Sequence, residues 1–266
     1  MSKDKAELVI RRQHLDDHRR LIIGRSLAAA VASAVPVPLL DDWLRATILG
    51  STFRKLAAGH QVDIDEEALR NLVHGRSDPP ELGKLFTDAT LLTLLRRSWR
   101  RLLVVVAAAR RVQAAGRYFT LTTLFDHYCA RMHVGLGIDG TTGYELRRAM
   151  DQAISEIPGG LSHHLFRRAV AAAARATVRA PAEIVDIATA GMLRRLLARR
   201  QQSQQAMEMA AVQEVDAVLD QQLALEQSFL ARATRAVELQ LSVQANPYLD
   251  AVIDRFEHLW RRRRDS

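Results

Sequence analysis

Cysteine occurs once in this 266-residue chain, at Cys129. A lone thiol forms no intramolecular disulfide and supplies no Cys-x-x-Cys pair, which fits a reducing compartment. Aromatic residues make up only 5 %. Sheets draw on aromatic and β-branched side chains, whereas alanine and leucine dominate here, so the composition points to helices packed through small side chains. Long apolar runs are also missing. Residues 102–109 are eight apolar residues between arginine pairs. As a helix they would extend about 12 Å at 1.5 Å per residue, against a hydrocarbon core about 30 Å thick. Residues 27–40 are interrupted by two prolines and have the length of a buried core helix or a re-entrant element.

Lysine is nearly absent, at positions 3, 5, 55 and 84 alone, so arginine carries the net charge of +8. Arginine pairs recur from Arg11-Arg12 to the run Arg261, Arg262, Arg263 and Arg264. Spread in this way, they suit solvated helix faces first, an anionic membrane surface second and nucleic acid third. The start, Met-Ser-Lys-Asp-Lys-Ala-Glu, is charged and lacks the pattern of a secretory signal. A cytoplasmic protein, peripheral on the inner membrane, is the expected setting.

What is present is helical patterning throughout, so the expected fold is all-α, a multi-helix bundle with a long C-terminal helix region. A first amphipathic helix is expected over 5–23, with Gly24 loosening its junction to an alanine-rich helix that stops at Pro36. Proline removes an N–H and crowds the preceding turn. A helix over 40–58 carries Trp43, Leu44, Ile48, Phe53 and Leu56 on one side, with Gly59 as its C-cap. Asp63, Asp65, Glu66 and Glu67 mark another helix start, and so do Asp78, Pro79 and Glu81. Thr142 and Glu145 read as a capping box. Ile64-Asp65 with Leu69-Arg70 is echoed by Ile138-Asp139 with Leu146-Arg147, which suggests two related helical units. Pro158-Gly159-Gly160 is the clearest punctuation. It divides an N-terminal helical domain, 1–156, from a C-terminal long-helix region, 161–266, with a basic tail. In the second part Val215, Leu219, Leu223, Leu230, Ala233, Val237 and Leu241 form one apolar stripe at helical spacing. The expected bend lies at the glutamines of 201–205. A short helix over 248–260 closes the chain.

Signals for chemistry are sparse. His14 and His18 stand one helical turn apart with Asp17 between, a spacing that allows a metal site. Surface histidines are the simpler reading, because Arg19 and Arg20 repel a cation. Cys129 and His133 are placed as a nucleophile pair could be, yet Cys129 sits among Leu124, Phe125, Tyr128 and Met132 and reads as a small buried hydrophobe. The glycines of 137–143 could cradle a phosphate at a helix N-terminus, but no Gly-Lys-Ser/Thr follows and turn chemistry explains them. No Ser-His-Asp order or dinucleotide fingerprint occurs. The sequence therefore reads as non-enzymatic, with no catalytic residue, cofactor or metal expected.

Residues 24–59 run from a small-residue helix through Val35-Pro36-Val37-Pro38 to Asp41, a second helix and a closing glycine. This order resembles the Ile-Pro-x-Pro-x-x-Asp hairpin of the bacterial EcsC and YcjF-type helical families, although Arg45 and Arg54 interrupt the second helix. The resemblance implies membrane association and a GTPase or transporter as partner. The expected function is therefore an interaction protein at the membrane face or on another protein. Val35, Pro36, Val37, Pro38 and Trp43, and Trp260 with Arg261, Arg262, Arg263 and Arg264, are the expected contacts. The alternative is nucleic-acid binding through Arg96, Arg97, Arg100, Arg101, Arg110 and Arg111. The long C-terminal helix also offers a face for self-association.

Overall fold

The computed structural model describes residues 3–32, 40–75, 107–158, 204–226, 228–243 and 247–264. The Pro-Val-Pro bend, the Asp78 start, Arg96, Arg97, Arg100, Arg101 and the alanine-rich stretch after Gly160 lie outside these residues. The fold is all-α. Among the described residues there are eight helices, which we number α1 (Lys3–Ala32), α2 (Leu40–Gly59), α3 (Glu66–His74), α4 (Ala107–Arg131), α5 (Gly140–Glu156), α6 (Gln204–Ala224), α7 (Phe229–Val243) and α8 (Pro247–Arg264). Two-residue strands β1 (Asp63–Ile64) and β2 (Gly137–Ile138) pair in parallel.

The helix α1 runs unbroken through Gly24. The glycine is there for packing rather than as a hinge: a Cβ would sit 2.3 Å from Leu223 Cδ2 and 3.1 Å from Thr234 Oγ1. Absence of a side chain thus lets α6 and α7 close on α1. Helix α2 ends as its glycine suggested, but the left-handed residue that turns the chain is Gln61, at φ 58°. The Val62 N–H then donates back to Ala57 O at 2.9 Å, satisfying a terminal carbonyl.

The internal echo is structural. Ile64 opposes Ile138, and Asp63 opposes Gly137. Each strand is followed by an aspartate that caps a helix. Asp65 Oδ1 accepts from the Ala68 N–H at 2.5 Å, and Asp139 Oδ1 accepts from the Thr142 N–H at 2.7 Å. The cap of α5 is therefore Asp139 and not Thr142, so the helix starts three residues earlier than a capping box at Thr142 implies. Helices α3 and α5 then pack closely. A Cβ on Gly143 would fall 2.7 Å from Ala68 Cα and 2.8 Å from Ala68 O. Asn71 Nδ2 donates to Gly140 O at 2.9 Å, and Arg147 Nη1 donates to the carbonyls of Leu72 and Val73 at the end of α3. The glycines of 137–143 serve this close approach.

One hydrophobic cluster draws on residues from Leu15 through Ala153 and from Val215 through Trp260. Helix α1 packs on α7 and α8 packs on α5, so the described helices from both sides of 157–160 share this core. The C-terminal stripe is present, with Val215, Leu219, Leu230, Ala233 and Val237 buried. It is carried by two helices rather than one: the chain turns at 225–228, where Ser228 Oγ accepts from the Ala231 N–H at 3.0 Å and starts α7.

Candidate functional site

Three arrangements of polar residues stand out against this core. The first is His18 on α1, His60 just after α2, and Asp126 on α4. His18 Nδ1 and His60 Nε2 each lie 2.8 Å from the same carboxylate oxygen, Asp126 Oδ1. Asp126 is wholly buried, while the histidine side chains keep 23 % and 16 % of their surface. The rings meet edge to face, 5.0 Å apart at 81°. Asp126 Oδ2 is buried with no hydrogen-bond partner. Gly59 makes room for the His18 ring, since a Cβ there would lie 2.7 Å from Nε2. His18 is thus turned into the fold and is no surface histidine. Of His14 the side chain lies outside the described set.

The second is Arg25. It interrupts the apolar run in sequence, and its side chain is fully buried. Its Nη1 donates to Ser51 Oγ at 2.6 Å and makes a 2.6 Å ion pair with Asp216 that is poorly aligned for a hydrogen bond. Its Nη2 donates to Asp220 at 2.7 Å. Lys55 reaches the same two aspartates. Burial alone would raise the Asp216 pKa. Attraction to Arg25 and close polar contacts with Arg25, Lys55 and Ser51 outweigh it and hold the carboxyl below its ordinary range. This cluster ties α6 to α1 and α2.

The third lies where α4 and α8 end. His127 Nε2 and Glu257 Oε1 are 2.9 Å apart inside the core, and Arg261 Nη2 donates to Glu257 Oε2 at 2.7 Å. Tyr128 meets Trp260 edge to face at 5.2 Å and His133 at 5.7 Å. The C-terminal end of α8 is thereby fixed beside the segment that links α4 to β2. That segment exposes Val134 by 74 % and Leu136 by 89 %, on either side of Gly135 at φ 116°. Arg131, Arg261 and Arg262 are exposed nearby. Arg263 is partly buried and donates to Glu145 O at 2.6 Å, which anchors the last turn of α8 to α5.

These positions revise the expected contacts. Trp43 and Trp260 are only 5 % and 7 % exposed, because each lies on the buried face of its helix; neither presents a ring to a partner. Arg261, Arg262 and Arg263 do belong to the last turn of α8, and the side chain of Arg264 is outside the described set. Arg110 and Arg111 fall in the first turns of α4, and their side chains are likewise not described. The cysteine–histidine pair that the spacing allows does not form, in keeping with Cys129 as a buried hydrophobe: His133 turns to Tyr128, with Nδ1 3.4 Å from the hydroxyl. Burial, then the nearby Asp126 charge, push the Cys129 thiol far above its ordinary pKa, which is the opposite of an activated nucleophile.

Sequence reasoning missed His60, Asp126, Val134 and Leu136. The histidines and aspartate are 66 and 108 residues apart along the chain, so no local spacing reveals them. A run of Val-Gly-Leu beside a helix end was the available signal for the apolar loop.

No helix among the described residues is long and apolar enough to cross a membrane. The fold and these sites define a helical protein that contains a paired strand–helix unit. Comparison with protein-family models, with curated proteins and with solved structures gives no match.

Proposed function

We propose that this protein is a non-enzymatic docking protein that attaches peripherally to an anionic membrane surface at the end where 132–136 and the last turn of α8 meet. The observation that carries the reading is the exposure of Val134 and Leu136 beside exposed Arg131, Arg261 and Arg262. An apolar pair on one loop beside basic side chains is the combination by which peripheral elements sit in a bilayer interface. Burying such a side chain is worth about 1.5–3 kcal/mol, and each basic residue near an anionic bilayer adds about 1 kcal/mol. Exposed Asp63 and Asp139 flank the loop on its strand side, so the attraction comes from the α8 side. The sum gives weak, reversible attachment rather than insertion. The partner implied by the family resemblance, a GTPase or a transporter, is the competing occupant of the same surface.

Vesicle sedimentation tests this. The protein should pellet with phosphatidylserine-containing vesicles, fail to pellet with phosphatidylcholine alone, and release as salt rises. A duplex or tRNA competitor should not displace it. Absence of pelleting with either lipid contradicts the membrane reading and directs attention to a protein partner. Displacement by nucleic acid, with steep salt dependence, would instead support the arginines of 96–111 as a nucleic-acid contact.

A further inference from the structure

We propose that His18, His60 and Asp126 bind one divalent transition-metal ion, with Zn2+ as the reference ion. The donor atoms of the three side chains lie within 4.8 Å of one another. They come from α1, the end of α2 and α4, so the site is made by tertiary packing and coordination would cross-link three helices. The alternative is a purely structural His–Asp–His junction. Two features argue against that as the whole account. Both imidazoles crowd onto Oδ1 while Oδ2 of the same buried carboxylate has no partner. A structural junction would give each oxygen its own donor, because an unsatisfied buried carboxylate oxygen is costly. The rings also stand edge to face rather than stacked, so their nitrogens converge on one point.

The donor chemistry selects the ion. Two imidazoles and one carboxylate suit Zn2+, Co2+ or Fe2+, whereas Ca2+ and Mg2+ favour all-oxygen sets. Three protein ligands leave a fourth position, and the partial exposure of both histidines gives water a path to it. Zinc bonds of about 2.0–2.2 Å in a tetrahedron place ligand atoms about 3.3 Å apart. The 2.8 Å contacts to Asp126 would have to open by a few tenths of an ångström. Each neutral imidazole coordinates through a lone pair, so the proton facing Asp126 moves to the other ring nitrogen by exchange with water. The carboxylate keeps its charge, and no atom changes oxidation state.

The experiment uses the full chain stripped with a chelator, without lipid, so its outcome is independent of the docking proposal. Titration with Zn2+, followed by calorimetry, should show one site per chain. Co2+ should give the visible absorption of a four- or five-coordinate ion, displaced by Zn2+. His60→Ala should weaken Zn2+ binding at least 100-fold and abolish the cobalt bands, with helical circular dichroism unchanged. His258→Ala, at an exposed histidine on α8, should leave both intact. Because Asp126→Asn alters a buried group and can fail to fold, His18→Ala serves as the second variant and should match His60→Ala. A folded wild-type protein that takes up no stoichiometric Zn2+, or binding that survives both histidine substitutions, overturns the proposal.

Discussion

Ile64 and Ile138 face each other across a parallel pair of two-residue strands, each followed at once by an aspartate that caps a helix. Two similar units, helix–strand–Asp–helix, are thus joined back to back through α3 and α5. The tightest backbone contact of that joint is Gly143 on Ala68. Gly143→Ala would press a methyl into Ala68 Cα and O, atoms that cannot swing aside. We expect a loss of about 1–3 kcal/mol, as for overpacked cores. Gly50→Ala is the control, since its Cβ would meet Val73 Cγ2 at 3.5 Å and Leu69 Cδ2 at 3.9 Å, both ordinary contacts. There the helix gains by up to about 1 kcal/mol, the usual glycine-to-alanine difference. Denaturant melts of the two variants should move in opposite directions.

Arg25 holds α6 to the first two helices. Arg25→Met removes the only described cation that is fully buried in that cluster and leaves Asp216 partly buried beside Lys55. Lys55 still offsets the Asp216 charge, so the loss is that of the charge-assisted hydrogen bonds of Arg25, about 1.5–3 kcal/mol. Thermal or urea unfolding of the variant checks this, with a drop below about 1 kcal/mol contradicting the assigned role.

The same cluster sets a pH dependence. The folded Asp216 carboxyl titrates below its ordinary value of 3.8. Its contribution to stability is therefore complete above that value and is lost as pH falls through the lower folded one. Wild-type protein should lose stability on acidification below about pH 4, following the unfolded aspartate value. Asp216→Asn should lose less over the same interval. Equal acid sensitivity in the two proteins would remove Asp216 as a cause.

Cys129 is buried on the inner face of α4 and its thiol is held protonated. In the native protein, a thiol reagent at neutral pH should label it only as fast as the protein opens, and at once in denaturant. Rapid native labelling would contradict its burial.

Much of the scaffold is legible in the sequence because it is set locally. Asp65 announces a helix start by its own side chain, and the repeat of Ile-Asp points to two related units, whereas the Thr142–Glu145 pattern points three residues past the true cap, Asp139. The alternation of apolar positions on α8 names Val252, Ile253, Phe256 and Leu259 as core, as found. What stays hidden depends on distance along the chain. A strand of two residues has no period to detect. Ser228 breaks a stripe that continues in register on the next helix, so the hydrophobic pattern alone reads as one helix. Gly24 looks like a hinge until Leu223, far away in sequence, is seen to need its space. Asp126 gives no sign of its two histidines, which arrive from other helices.

The docking surface yields a graded expectation. Arg261→Ala with Arg262→Ala should weaken attachment to anionic vesicles about 5-fold per charge, following roughly 1 kcal/mol each. Arg261 also holds Glu257, so circular dichroism must show the variant folded. Val134→Asp with Leu136→Asp should abolish pelleting without loss of helix, because both side chains lie outside the core.

Contact of the apolar loop with the bilayer interface is tested most directly by a polarity-sensitive fluorophore on Leu136→Cys, with buried Cys129 left in place. Adding anionic vesicles should shift its emission to the blue, with no shift for zwitterionic vesicles and reversal at high salt. Emission that stays that of a water-exposed probe with every vesicle, while a matching probe on exposed Leu225→Cys shifts or neither does, would contradict attachment through this end.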